Sequence, residues 1–127
     1  MKIQYSVPLA VLVGIGIGAV AVQTLHAQAK PKAYTVSELE MLDAAANAAF
    51  VPLVQAAQKA AGGRAFRTGG GKIVAMEGAA PKRVAITEWD SLEQAEAFYK
   101  STAWKDLTPQ RDKAVKTIRR YAVEAMN

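Results

Sequence analysis

The order in which strand-like and helix-like segments follow one another restricts the fold of this chain more than any other feature. From residue 33 onward, short segments rich in β-branched and aromatic residues are separated by longer segments in which apolar residues recur every three or four positions. The first pattern is typical of strands in a sheet, and the second of helices that bury one side. The sequence therefore predicts one domain that mixes helices and strands.

Four segments are predicted to be the main strands, and a fifth is predicted to be the hairpin partner of the second. The main strands are residues 33–39, 64–68, 83–89 and 117–124, and the hairpin partner is residues 72–77. The hairpin is predicted because the three glycines at residues 69–71 accept the positive φ angles that a tight turn needs.

The predicted helices carry recognisable end signals. Asp43 is predicted to cap the first helix, and Gly62 stands where a left-handed C-terminal cap belongs. Ser91 and Gln94 form a capping box, S-x-x-Q, that opens a second helix. A shorter helix is predicted to follow at residues 108–115, since a threonine and a proline stand at its start.

With the hairpin counted as a short extension, this order reduces to the split β-α-β pattern of ferredoxin-like domains. Such an α+β domain has an antiparallel sheet that carries its helices on one face. The other face would be bare in a monomer, and apolar side chains on it would need a cover. We therefore predict a homodimer in which a second copy covers that face.

The first 29 residues are predicted to be a secretory signal peptide. Lys2 gives a positive start, residues 7–22 carry no charge, and Ala27 and Ala29 form a small-residue cleavage site. The alternative is an uncleaved anchor, but the apolar run is shorter than the roughly 18 residues that a spanning helix needs. If the segment is a signal peptide, the protein contacts the membrane only through this segment, and only before cleavage.

Cleavage after Ala29 would produce an exported chain, periplasmic or secreted, with a linker at residues 30–32 and the folded domain at 33–127. The sequence has no cysteine, and its single histidine, His26, lies in the predicted signal peptide. Catalytic triads, thiolate nucleophiles and zinc–thiolate sites are therefore excluded from the mature chain. No closely spaced acidic loop offers a carboxylate site, so we predict no metal and no cofactor.

Two segments resemble a bacterial family called domain of unknown function 1330. The first contains Gly62-Gly63-Arg64 followed by Arg67 and Gly69-Gly70, and the second is ITEWDSLEQAEAFYKSTAW at residues 86–104. The resemblance covers residues 33–126 and implies a dimeric α+β barrel. It relates the chain loosely to cofactor-free oxygenases, isomerases and ligand-binding modules, and implies no established reaction. Most members look like short cytosolic proteins, so the export signal is a departure.

The glycine-rich stretch at residues 62–72 is not predicted to bind a nucleotide. A phosphate-binding loop of the G-x-x-x-x-G-K-[ST] type would need glycine and Ser or Thr where Phe66 and Ile73 stand. The glycines are explained by the helix cap and the turn.

Arg64 and Arg67 are the candidate ligand-binding cations. Side chains alternate along a strand, so these two residues should lie on opposite faces of the sheet. The one on the face that meets the partner copy is predicted to hold a carboxylate or phosphate. The alternative is a structural ion pair with a glutamate.

Glu88 and Glu38 are the candidate catalytic residues. Inside a barrel, desolvation would raise the pKa of such a carboxyl, and it would then serve as a general base. The alternative is an exposed or salt-bridged glutamate. Tyr34 and Tyr121 lie on predicted strands and are candidates to line a ligand cavity, with core or interface packing as the alternative.

Basic side chains are concentrated between residues 100 and 120. They are Lys100, Lys105, Arg111, Lys113, Lys116, Arg119 and Arg120. We interpret them as a solvated surface, and contact with anionic lipid or polysaccharide is a third class of function. No nucleic-acid-binding motif is present, so no nucleic-acid partner is predicted.

The function that these observations favour is binding of a small anionic or aromatic molecule by an exported homodimer, between the sheet and the partner. The alternative is a cofactor-independent enzyme, resembling an oxygenase or isomerase, with a glutamate base in the barrel.

Overall fold

A four-stranded antiparallel sheet with helices on one face forms the domain in the computed structural model, which describes residues 30–126. The strands are β1 (Ala33–Met41), β2 (Arg64–Ala65), β3 (Arg83–Trp89) and β4 (Val115–Glu124). The helices are α1 (Ala44–Ala60), α2 (Leu92–Lys100), α3 (Thr102–Lys105) and α4 (Thr108–Ala114). The predicted signal peptide, residues 1–29, lies outside the described residues. Within residues 30–126, no helix has the length and apolar character needed to cross a membrane.

The strand order in the sheet is β2-β3-β1-β4, and every neighbouring pair is antiparallel. β1 and β3 are adjacent at the centre, and each is followed by helices before the chain returns to an edge strand. This is the split β-α-β arrangement of ferredoxin-like domains. The fold class predicted from the sequence is confirmed.

The predicted residues cap the helices. The Asp43 carboxylate accepts a hydrogen bond from the Ala46 amide at 2.7 Å, and the Ser91 hydroxyl accepts one from the Gln94 amide at 3.1 Å. Gly62 follows α1 with a φ angle of 92°, a conformation that costs glycine little. These caps fix where α1 and α2 begin, and the glycine ends α1.

The predicted hairpin partner at residues 72–77 is wrong, and β2 is shorter than predicted. β2 pairs with β3 instead, with Arg64 opposite Glu88. The chain continues along β3 for a few residues, because the Phe66 amide donates to the Ile86 carbonyl and the Thr68 hydroxyl to the Val84 carbonyl. Residues 71–82 form no strand: the exposed side chains within them make too little apolar contact to add one to the sheet.

The helix-side core is centred on Trp89, whose side chain is fully buried. Its ring packs against Phe98 with centroids 5.2 Å apart, and its indole nitrogen donates to the Thr35 hydroxyl at 3.0 Å. A Cβ atom at Gly63 would come within 2.9 Å of this ring, so the chain needs a glycine there. A second apolar cluster, around Phe50, lies where α1 meets the end of α4.

None of the helices within residues 30–126 lies on the opposite side of the sheet, and we call that side the open face. Its apolar and aromatic side chains include Tyr34, Val36, Ile86, Tyr121 and Val123, as the strand register and alternation place them. Tyr121 and Val123 are about half exposed, at 50% and 52%. Exposed apolar patches on protein surfaces are more common at interaction sites than elsewhere.

Candidate functional site

A cavity of about 350 Å³ lies on the helix side of the sheet, between α1 and the strands. Ser37, Leu39 and Ala85 of the sheet line one wall, and Phe50 and Val54 of α1 line the opposite wall. The volume falls in the range of pockets that hold small organic ligands, about 300–1,000 Å³. It is the site that the described residues form most clearly.

The charged side chains that line the cavity are all positive. Four arginines line it, namely Arg67, Arg83, Arg111 and Arg120. Of the described residues around the cavity, none is an aspartate or a glutamate. A pocket with this lining has a positive potential, because low-dielectric walls strengthen the field of each guanidinium.

Arg120 enters the site from β4 and is largely buried. Its guanidinium lies over the rings of Trp104 and Tyr99, 4.7 Å and 5.1 Å from their centroids. The Nε–H donates to the Ser37 hydroxyl at 2.9 Å. Burial lowers the pKa of Arg120, the neighbouring Tyr99 acts in the opposite sense, and the positive charge of Arg111 lowers the pKa further. Among the described residues, the partners of Arg120 are therefore neutral hydroxyls and aromatic rings, and none is a carboxylate.

Arg111 enters the same region from α4. Its guanidinium lies over the Trp104 ring, 4.4 Å from the centroid, and one Nη donates to the Thr108 hydroxyl at 3.3 Å. The nearest carboxylate is that of Asp112, 4.0 Å from Nε and largely exposed. The other nitrogen, Nη1, is buried and has no hydrogen-bond acceptor among the described residues.

Two neutral polar side chains of α1 also line the cavity without partners. Asn47 and Gln58 are 8% and 9% exposed. Neither side-chain amide forms a hydrogen bond with any of residues 30–126. Neither amide is among the fully buried unpaired groups of the described residues, so the amide atoms keep accessible surface in the cavity. Both are available to a molecule in the cavity.

The candidate arginines of the second strand lie on opposite sides of the sheet, as alternation predicts. Arg67 lines the cavity and forms no ion pair with a described residue. Arg64 lies on the open face, where its Nη2 is 2.9 Å from an Asp90 oxygen and its Nε is 3.3 Å from a Glu88 oxygen. Arg64 thus forms the ion pair that the sequence offered as the alternative to ligand binding.

Glu88 and Glu38, the candidate bases, are both in ion pairs on the open face. The hydrogen bond from Arg64 lowers the pKa of Glu88, and Lys32 adds to the effect. Glu38 receives two hydrogen bonds from Arg119, at 2.9 Å and 2.8 Å, and these lower its pKa. Both shifts are opposite in direction to the raised pKa that a general base would need.

Tyr34 and Tyr121 also lie on the open face and do not line the helix-side cavity. Tyr34 packs near Phe66, with ring centroids 6.3 Å apart. The predicted cavity residues are thus divided between two surfaces, and only Arg67 lies at the observed cavity. Among residues 30–126 no group of three metal-ligating side chains occurs.

The sequence analysis missed Arg111 and Arg120, which it assigned to a solvated surface. A bulge in β4 explains the error for Arg120. The register between β1 and β4 shifts so that Thr117 is opposite Leu39 while Arg119 is opposite Glu38, and Ile118 is the extra residue. Without the bulge, simple alternation from Thr117 would place Arg120 on the open face. No short sequence signal reveals such a bulge.

The lowered pKa values lead to a test of the open-face ion pairs. Carboxyl carbon NMR titration should give midpoints for Glu88 and Glu38 below the ordinary glutamate value. Each pair should contribute stability above that value, and the contribution should be lost as pH falls toward the folded-state midpoint. Arg64→Gln should raise the midpoint of Glu88 and leave that of Glu38 low, while Arg119→Gln should do the reverse. A midpoint above the ordinary value in the native protein would contradict the ion pairing.

Several solved structures are similar to this chain. A protein of unknown function from Rhodopseudomonas palustris is similar with a TM-score of 0.61 and 14% identity, over 84% of this chain and 92% of that one. HapK from Hahella chejuensis has a TM-score of 0.48 and 14% identity, over 74% and 92%. A conserved protein of unknown function from Bacteroides thetaiotaomicron has a TM-score of 0.47 and 8% identity, over 76% and 100%.

No curated protein matches the chain. The match to a family is clear, however, and it covers nearly the whole folded domain. Residues 32–126 match the family described as domain of unknown function, DUF1330. The resemblance found in the glycine-rich stretch and in residues 86–104 is confirmed, and this chain belongs to the DUF1330 family.

Proposed function

We propose that this protein is an exported homodimer that binds a small organic molecule in the helix-side cavity. The observation that carries the proposal is the cavity of about 350 Å³ itself, whose lining includes the amides of Asn47 and Gln58 with no hydrogen-bond partner within residues 30–126. A bound molecule of suitable size would fill the cavity and form hydrogen bonds with these two accessible amides. This moves the ligand from the sheet–partner interface that the sequence suggested to the opposite side of the sheet.

The composition of the lining favours binding over catalysis. The described residues around the cavity include no Asp, Glu, His or Cys, so the carboxylate and imidazole bases that would activate a hydroxyl such as that of Ser37 are lacking there. Glu88 and Glu38, which the enzyme hypothesis requires, are held in ion pairs on the open face. Apolar walls with a few polar groups are typical of a ligand-binding pocket.

A thermal-shift screen of small organic metabolites tests the cavity. A true ligand at 100 times its Kd should stabilise the fold by about 2.7 kcal/mol and raise Tm by about 10 °C or more. Ala85→Phe should abolish the shift, because the ring would occupy the cavity. Ala79→Phe, an equal change at an exposed loop position, should leave the shift intact. A screen with no stabilising compound, or a shift that survives Ala85→Phe, would contradict the proposal.

The open face supports the homodimer. Half-exposed Tyr121 and Val123 lie beside Tyr34 and Val36, and no helix of residues 30–126 covers this surface. A second copy offers the same apolar surface, and a two-fold axis would bring the two sheets face to face. Two such sheets would enclose the apolar strip between them, and the ion pairs of Glu38 and Glu88 would lie on the same surface.

Sedimentation velocity tests the dimer. The native chain should sediment as a dimer at micromolar concentration. Tyr121→Asp places a charge on the proposed interface and should weaken the dimer by about 100-fold or more, since burying an unpaired charge costs several kcal/mol. Leu53→Asp introduces the same charge on the exposed side of α1 and should leave the dimer intact. A native chain that is monomeric at this concentration would refute the homodimer.

Export is tested by the mass of the protein recovered outside the cytoplasm. The proposal predicts a mature chain that begins at Lys30, because Ala27 and Ala29 satisfy the small-residue requirement of the cleavage site. Ala29→Arg should prevent cleavage at this position, whereas Lys30→Gln should not. An intact mass that includes residues 1–29 in the exported protein would show that the segment is retained as an anchor.

A further inference from the structure

We infer that the cavity ligand is an organic oxyanion whose charged group lies against Arg111 and Arg120. The inference rests on the proposed function and deepens it by naming the chemical class of the ligand. It takes its support from three features of the site: the unbalanced charge, the paired arginines over Trp104, and the flat apolar walls. Each is independent of the fold family.

The first feature is the charge imbalance. On the other face of the sheet two arginines are paired with glutamates, Arg64 with Glu88 and Arg119 with Glu38. Arg120 is more deeply buried than either of these arginines, yet it contacts hydroxyls and aromatic rings only. Buried charges are normally paired, and a missing counter-charge inside a cavity is supplied most simply by an anionic ligand.

The second feature is the position of the two guanidinium groups. Both lie over the ring of Trp104, within 5 Å of its centroid, at 4.4 Å and 4.7 Å. Two like charges that share one ring repel each other. Burial and the charge of Arg111 both lower the pKa of Arg120. An oxyanion that accepts from both would replace the repulsion by two charge-assisted sets of hydrogen bonds. The buried Nη1 of Arg111 is a donor that still needs such an acceptor.

The third feature is the shape of the remaining space. Beyond the arginine pair, the cavity is lined by Phe50, Val54, Leu39 and the ring of Tyr99, with the amides of Asn47 and Gln58 at the side. Apolar and aromatic walls suit a flat unsaturated body, and the amides suit a hydroxyl or carbonyl on that body. The remaining cations, Arg67 and Arg83, would add to the attraction of an anion as it enters.

Matched aromatic probes test the charge requirement directly. The probes are 2-naphthoate, 2-naphthyl phosphate and the neutral 2-naphthamide, which share one ring system and differ in the polar group. Calorimetric titration should show that at least one of the two anions binds 10-fold or more tightly than the amide. Guanidinium groups can bind either a carboxylate or a phosphate. The probe with the higher affinity therefore shows which of the two groups the natural ligand carries.

Variants assign the effect to the arginine pair. Arg120→Gln and Arg111→Gln should each reduce binding of the preferred anion by 10-fold or more and leave binding of 2-naphthamide within about 2-fold. Lys113→Gln removes an equal charge from the exposed surface of α4 and should change neither. Unfolding curves of each variant without ligand establish that the domain remains folded, and Arg120→Lys serves as a second, charge-preserving variant that should bind more tightly than Arg120→Gln.

The outcomes separate this inference from the proposed function. If neither anion binds more tightly than the amide, or if both arginine variants bind the anions as the native protein does, the oxyanion inference is overturned. Neutral compounds that still stabilise the protein, and lose the effect in Ala85→Phe, would then leave the cavity proposal standing. If the wider screen and these probes all fail to bind, the cavity proposal falls as well.

Discussion

The buried indole of Trp89 is the interaction on which the rest of the domain depends. Its nitrogen donates to Thr35 of β1, its ring packs against Phe98 of α2, and its edge leaves room only for a glycine at residue 63. The Trp89 side chain thus contacts both central strands and sets the position of α2. It also restricts the path of the chain after α1. An indole N–H inside a core needs an acceptor, and the Thr35 hydroxyl supplies it.

The cavity follows from how this aromatic cluster is distributed. Trp89, Phe98, Tyr99 and Trp104 pack together at one end of the helix layer. α1 spans the rest of the layer and contacts the second cluster around Phe50. Between the two clusters the sheet presents the small side chains Ser37 and Ala85, which do not fill the space beneath α1. The rings of Tyr99 and Trp104 face this space and hold the guanidinium of Arg120.

Sequence patterns predicted the fold well because the relevant forces are local and periodic. The alternation in residues 83–89, the cap at Asp43 and the positive φ angle at Gly62 each depend on a few neighbouring residues. Those patterns also identified the resemblance to the family, which the match over residues 32–126 confirms. The hairpin at residues 72–77 failed because glycine turns permit a strand pair but do not supply the apolar contacts that hold one together.

The site was harder to predict because it depends on which face each side chain takes. The bulge at Ile118 reverses the alternation of β4, which turns Arg120 inward and Arg119 outward. Periodicity cannot reveal a bulge, and net charge cannot distinguish a cation under α1 from a cation in water. For the same reason Glu38 and Glu88 were candidate bases in the sequence and are ion-paired in the structure, where Arg119 and Arg64 lie on the same face.

Charged side chains are ion-paired on the open face of the sheet, but those in the helix-side cavity lack carboxylate partners at hydrogen-bond distance within residues 30–126. This contrast is the structural argument for a function at the cavity. On the open face Glu38 and Glu88 each have an arginine at hydrogen-bond distance, so these charges are balanced within the chain. On the helix side Arg111 and Arg120 share one aromatic ring, and one of their nitrogens lacks an acceptor. Charges are paired within the chain on the open face, but the cavity arginines lack carboxylate partners of this kind among the described residues. The cavity therefore differs from the rest of the sheet in how its charges are compensated. Such local departures in an otherwise consistent structure are expected at functional sites, where an external partner completes the set of interactions.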